Sequence, residues 1–191
     1  MAETFFSAVY NRFLGQVTDD LYVELTPEDT LKDLQNLLIN AIPGFEFPRK
    51  NLYDYTIETE MVSIDNVNNN FVLQVFNDNS NNESETPLAL VDKSHFNSEL
   101  TEEEINILEL LMKQGWVQRQ VTSIENTRMK YSGSDFKMTS QANHLAKLLT
   151  LLAESRRDSF HMQRLYKRRK LVADGYKSNW SSLMEVSALD D

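Results

Sequence analysis

The sequence predicts a mainly α protein of the α+β class: a helical hairpin or bundle of long helices with a small inserted antiparallel β-sheet. Three observations lead there. Apolar residues recur at helical spacing within 5–14, 31–42, 105–121 and 145–166. Helix-start chemistry precedes two of these stretches, at Thr26-Pro27-Glu28-Asp29 and Thr101-Glu102-Glu103-Glu104. Between them, residues 52–91 switch to strand-like alternation broken by polar, asparagine-rich stretches.

The elements follow in order. Phe5, Phe6, Val9, Tyr10, Phe13 and Leu14 form a one-sided stripe that Gly15 ends. Thr26 suits an N-cap, Pro27 the first helical position, and Glu28 and Asp29 the positive end of the helix dipole. Leu31, Leu34, Leu38 and Ala41 continue that helix until Pro43-Gly44 stops it. Tyr53 to Ser63 reads as one strand and Phe71 to Phe76 as a second, with Asn66 to Asn70 as their hairpin loop. Asn77 to Thr86 reads as a solvated loop, and Leu88 to Val91 as a third short strand. Thr101 and Glu104 make a capping box for a helix carrying Ile105, Leu108, Met112 and Trp116 on one face. Gly115 inside that helix costs roughly 1 kcal/mol relative to alanine, which suits a kink or a close helix contact. After a turn at Tyr131 to Phe136, the longest helical pattern runs from about Ser140 to Lys170, and it folds back on the preceding helix as an antiparallel hairpin. A loosely ordered tail is expected from about Asp174.

This reading gives N-terminal helices over 1–51, an inserted β-region and polar loop over 52–97, a long helical hairpin over 98–172 and a C-terminal tail over 173–191. Together they are expected to make one compact domain. With 191 residues the chain is long enough for a real core without disulfides or metals. The absence of cysteine excludes disulfides, thiol nucleophiles and zinc-thiolate sites. No apolar run of about 18 residues is present, so no transmembrane helix is expected. The first fifteen residues carry Glu3 and no basic leader, unlike a signal peptide.

The net charge of −10 is unevenly spread. Residues 1–100 hold 5 Lys/Arg against 17 Asp/Glu, and residues 113–177 hold 14 against 5. Two electrostatically different surfaces suit head-to-tail contact between identical subunits, unless folding intermixes them.

Catalytic patterns are absent from the sequence. His95, His144 and His161 lack metal-ligand spacing. The acid clusters Asp19-Asp20, Glu28-Asp29 and Glu102 to Glu104 each sit where a helix begins, so the helix dipole accounts for them. Ser132-Gly133-Ser134 lacks the strand and helix that a nucleophile elbow needs. No enzyme activity, metal or cofactor is expected. The most distinctive feature is a basic run, Arg164, Lys167, Arg168, Arg169 and Lys170, near a helix C-terminus. Solvation, docking on an acidic partner and phosphate contact with nucleic acid all stay open for it.

Three segments resemble a structural protein of tailed bacteriophages. They are Phe13–Arg49 (FLGQVTDDLYVELTPEDTLKDLQNLLINAIPGFEFPR), Leu100–Leu149 (LTEEEINILELLMKQGWVQRQVTSIENTRMKYSGSDFKMTSQANHLAKLL) and His161–Lys170 (HMQRLYKRRK), about half the chain. Within the virion the likeness is to a neck protein, a head-to-tail connector or adaptor. It implies a small helical protein forming a homo-oligomeric ring between the portal protein and tail-completion or tail proteins, with packaged DNA passing through. It also implies assembly in the host cytoplasm, with no membrane partner. The inserted β-region exceeds what a minimal adaptor needs, which leaves another neck, tail or baseplate component open. A reading from a different class is a DNA-binding regulator using residues 164–170. The expected contact residues are Arg164, Lys167, Arg168, Arg169 and Lys170, plus Trp180 in the tail.

Overall fold

The computed structural model describes residues 3–17, 21–67, 70–76, 87–130, 139–172 and 175–178. The expected features at Asp19-Asp20, Asn77 to Thr86 and Tyr131 to Phe136, and the tail beyond Ser178 with Trp180, lie outside the described residues. Helix makes up 63% of the structure, so the fold is mainly α with a smaller β part. No helix among the described residues is long and apolar enough to cross a membrane.

The chain opens with a two-residue strand, β1 (Thr4–Phe5), and helix α1 (Phe6–Gln16). A single turn, α2 (Leu21–Glu24), precedes α3 (Pro27–Ala41), which a 3-10 turn at Ile42–Gly44 closes. The β-region holds β2 (Tyr55–Thr56), β3 (Thr59–Ser63), β4 (Val72–Phe76), β5 (Leu88–Asp92) and β6 (His95–Phe96). Two long helices follow, α4 (Glu102–Lys130) and α5 (Thr139–Arg168), and then a hairpin of β7 (Arg169–Val172) and β8 (Gly175–Ser178).

The helix boundaries follow from local chemistry. Thr26 Oγ1 accepts the Asp29 amide at 3.2 Å, and Pro27 fills the first turn. At α4 the capping box is reciprocal. Thr101 Oγ1 accepts the Glu104 amide at 3.3 Å, while Glu104 Oε2 accepts the Thr101 amide at 2.8 Å. The apolar stripes then find each other. Phe6, Val9, Tyr10 and Phe13 of α1, Leu34 and Leu38 of α3, and Ile107, Leu108 and Met112 of α4 are buried in one core. Each such side chain contributes about 1.5–3 kcal/mol relative to exposure. A smaller cluster of Val117, Val121, Leu145, Leu148 and Leu152 joins α4 to α5 farther along the hairpin. The two helices run antiparallel, since Glu104 meets Tyr166 while Gln118 meets Arg156.

Between α3 and α4, Arg119 holds the Asp33 carboxylate with both guanidinium nitrogens, Nη2 at 2.9 Å from Oδ2. Tyr22 donates its hydroxyl to the same carboxylate at 2.9 Å. Burial alone would raise the Asp33 pKa, but the bonds from Arg119 and Tyr22 outweigh it and hold the carboxyl below its usual range. Gly115 sits in an unbroken α4 against α3. A Cβ there would lie 3.7 Å from Leu37 Cδ2, an ordinary contact. Gly115→Ala is therefore expected to stabilise the fold by about 0.5–1 kcal/mol, since alanine restricts the unfolded chain and fits the helix. Urea unfolding followed by circular dichroism checks this; a loss of stability would mean that the two helices pack closer than described.

The β-region departs from the sequence expectation in two ways. First, the expected 66–70 hairpin does not form, because β3 and β4 never pair. Strand β5 lies between them in the order β3-β5-β4, all antiparallel. Ala89 and Val91 make β5 a strand with buried positions, and such a strand belongs at the centre of a sheet. Second, residues 53–63 are two strands in two sheets. β2 joins β6 and β1 in the order β1-β6-β2, while β3 belongs to the other sheet. The chain bends at Glu58 opposite Ser94. The Glu58 amide donates to Ser94 Oγ at 3.3 Å, and the Lys93 amide donates to the Glu58 carbonyl at 3.0 Å. Ser94 Oγ also lies 2.5 Å from Asp92 Oδ1, whose carboxyl pKa is pushed up by burial.

The C-terminal end differs too. Helix α5 stops at Arg168 rather than Lys170, and Arg169 and Lys170 lie in β7. The backbone of 175–178, expected to be loosely ordered, forms β8, with Arg169 opposite Ser178 and Lys170 opposite Lys177.

Candidate functional site

Helix α5 buries Leu145, Leu148, Leu152, Ser155, Ser159, Gln163 and Tyr166, a stripe at spacings of three and four. That periodicity turns Arg157, Phe160, Arg164, Lys167 and Arg168 outward on the opposite side. The basic run therefore forms an exposed face at the C-terminal end of the helix, where positive charge complements the dipole.

The end of α5 is pinned by buried polar contacts. Gln163 Nε2 donates to the Gly44 carbonyl and to Ser159 Oγ, both at 3.2 Å, and its Oε1 accepts the Glu46 amide at 2.8 Å. Tyr166 donates its hydroxyl to Glu104 Oε1 at 2.5 Å and accepts the Arg49 amide at 3.3 Å. Burial, reinforced by the bond to Glu104, raises the Tyr166 pKa above the usual phenol range, so it stays a neutral donor. Its ring meets Phe45 edge-on at 5.4 Å. The Arg49 guanidinium lies 4.2 Å over the same ring and donates to the carbonyls of Tyr166, at 2.8 Å, and of Arg169. Arg49 thus satisfies a carbonyl that the end of the helix would otherwise leave unpaired.

These contacts sort the expected residues. Lys167 Nζ rests 3.9 Å above the Phe47 ring, a cation–π contact. Arg169 Nη1 bonds Glu103 Oε1 at 2.8 Å, so its charge is partly committed inside the molecule. Arg164 and Arg168 are exposed. Lys170 is placed by its backbone in β7, away from the helical face. Trp180 lies outside the described residues, so the structure brings together four of the six expected contacts.

Two contributions escaped the sequence reading. Arg49 and the exposed Lys50 join the basic end from a loop more than 110 residues earlier. They are two of only five basic residues in the first hundred, and that scarcity was the available signal. Glu104, read only as helix-start chemistry, is buried and serves both the cap and Tyr166.

The resulting surface is a basic platform with aromatic footing. It suits carboxylates or phosphates, and it places no nucleophile beside a base. Among the described residues, no cluster of three or more metal-binding side chains is present. His95 is buried with Nδ1 2.8 Å from the Lys93 carbonyl, and His144 and His161 are exposed. An open groove of about 820 Å3 lies along β1 and α1, with Glu3, Arg12, Lys93 and Glu99 as its charged lining. No family model, no curated protein and no solved structure matches the chain.

Proposed function

We propose that this chain is a structural protein of a tailed-bacteriophage virion that acts as a head-to-tail connector. In that role it forms a ring of identical subunits joining the portal protein to tail or tail-completion proteins. It works by oligomerising and docking, not by catalysis.

One observation carries the reading. The three segments that resemble phage neck proteins each contribute to a single cluster: Arg49 from the first, Glu104 from the second and Tyr166 from the third. The likeness therefore falls on residues that build one local structure, as a shared fold would require. The hairpin of 29- and 30-residue helices supports the same role, since each spans roughly 45 Å and presents a long outer face for neighbours. The platform at its end adds charge for docking and orientation.

Cryo-electron microscopy of the purified virion tests the proposal. Ring density between portal and tail is the expected result and gives the symmetry. Density at the tail tip or baseplate keeps a virion role and overturns the placement. Absence from the particle overturns both and favours a DNA-binding regulator using residues 164–170.

A further inference from the structure

The outer sheet carries an apolar face with no cover among the described residues. Residues paired across an antiparallel sheet project to the same side. Leu88 pairs with both Ser63 and Phe76, and Leu90 pairs with both Met61 and Gln74. Met61, Phe76 and Leu88 therefore share one face with Leu90, and they are 49%, 40% and 45% exposed. Large apolar side chains clustered in this way mark an interaction surface.

Charge indicates what covers it. Residues 51–92 contain eight Asp/Glu and not one Lys/Arg. Glu58 and Asp65 are exposed just beyond the two ends of β3, flanking the face, while Glu60, which pairs with Val91, projects to the opposite side, where Lys93 reaches it at 3.9 Å. The outer side of α5 has the complementary character. The last stretch of the helix, residues 156–168, carries five Lys/Arg and one Asp. Arg157, Arg164, Lys167 and Arg168 are exposed there, together with Phe160 at 54% and Phe47 at 41%. Glu46 and Asp158 are the exposed acids nearby in sequence. The ion pair of Lys93 with Glu60 is local to the sheet, and that of Arg169 ties the end of α5 to Glu103 of α4.

We propose that the apolar, acid-fringed face of the sheet β3-β5-β4 docks on the basic, aromatic outer face of α5 in a second copy of this chain. The contact is heterologous, so every subunit keeps one free patch of each kind, and repetition closes a ring or extends a filament. Met61, Phe76 and Leu88 exclude water against Phe160 and Phe47, and the charges set orientation. The inference rests on the ring reading of the preceding section and supplies its subunit interface.

The test uses the full chain and two charge-reversed variants, Glu58→Lys/Asp65→Lys and Arg164→Glu/Arg168→Glu. All four positions are exposed, and circular dichroism melting verifies that each variant folds. Sedimentation velocity over a concentration series, at low and at high salt, reads self-association. The unaltered chain is expected to self-associate, more weakly at high salt. Each variant alone is expected to associate at least about tenfold more weakly. An equimolar mixture of the two restores association, because every contact then pairs opposite charges again. Variants that associate like the unaltered chain overturn this interface. So does a mixture that fails to recover. A chain that stays monomeric throughout overturns self-docking as well. Virion density decides the connector reading independently, so the two ideas fail separately.

Discussion

Replacing Tyr166 with alanine is expected to cost about 3–5 kcal/mol of folding stability, the range for removing a fully buried aromatic ring. The ring is fully buried and fills the space between Phe45 and the start of α4. Its removal also strips the donor from Glu104 Oε1 and the surface on which the Arg49 guanidinium stacks. Tyr166→Phe separates these effects. It keeps the ring and leaves a buried carboxylate short of one partner, at a cost of about 1–3 kcal/mol. Pairing Tyr166→Phe with Glu104→Gln in a double-mutant cycle isolates the hydroxyl–carboxylate coupling. Denaturant unfolding provides all the values. A loss under about 1 kcal/mol for Tyr166→Ala would mean that the end of α5 does not dock on α4 and the 45–49 loop.

The position of Glu104 explains why this one tyrosine matters. Its Oε2 is engaged by the Thr101 amide and hydroxyl in the capping box, which fixes the carboxylate and turns Oε1 toward α5. A local helix-start signal thereby becomes a long-range tie. Tyr166 also bears on the proposed docking role, since Arg49 and Lys167 are placed by the same helix end that it anchors. Loosening it is expected to scatter the basic platform as well as weaken the core.

What the sequence revealed depended on the range of each interaction. The start of α3 was legible because Thr26, Pro27 and Asp29 act within one turn, and so was the capping box of α4. The long helices were legible because their burial repeats every three or four residues. Strand order was not, since β5 enters the middle of its sheet through pairing with residues 12 to 33 positions away. The two-residue strands β1, β2 and β6 are too short to show a period. Residues 169–170 read as helix because lysine and arginine suit a helix end, yet the bond from Arg169 to Glu103 and the pairing with β8 take them elsewhere. The basic run was visible as composition. Its footing on Phe47 and its extension by Arg49 came from tertiary contact alone.

Phe96→Ala is the second large change, expected to cost about 3–5 kcal/mol. Phe96 is fully buried in the middle strand of the sheet β1-β6-β2, with its ring 4.7 Å from that of Phe6. Its backbone pairs with Thr4 on one side and Tyr55 on the other. Thr4 also accepts the Leu100 amide at 2.7 Å, just before the α4 cap. The N-terminal strand, the β-region and the start of α4 therefore converge on this residue. The cluster of Val117, Val121, Leu145, Leu148 and Leu152 does not touch it and should feel its loss only through global unfolding. Hydrogen exchange read by mass spectrometry distinguishes the two effects. Amides of residues 4–13 and 55–56 are expected to lose protection first, ahead of those in 117–124. Equal acceleration in both regions would show instead that the chain opens only as one cooperative unit. The N-terminal strand would then be as firmly held as the hairpin, and no arm could detach from it without unfolding the whole.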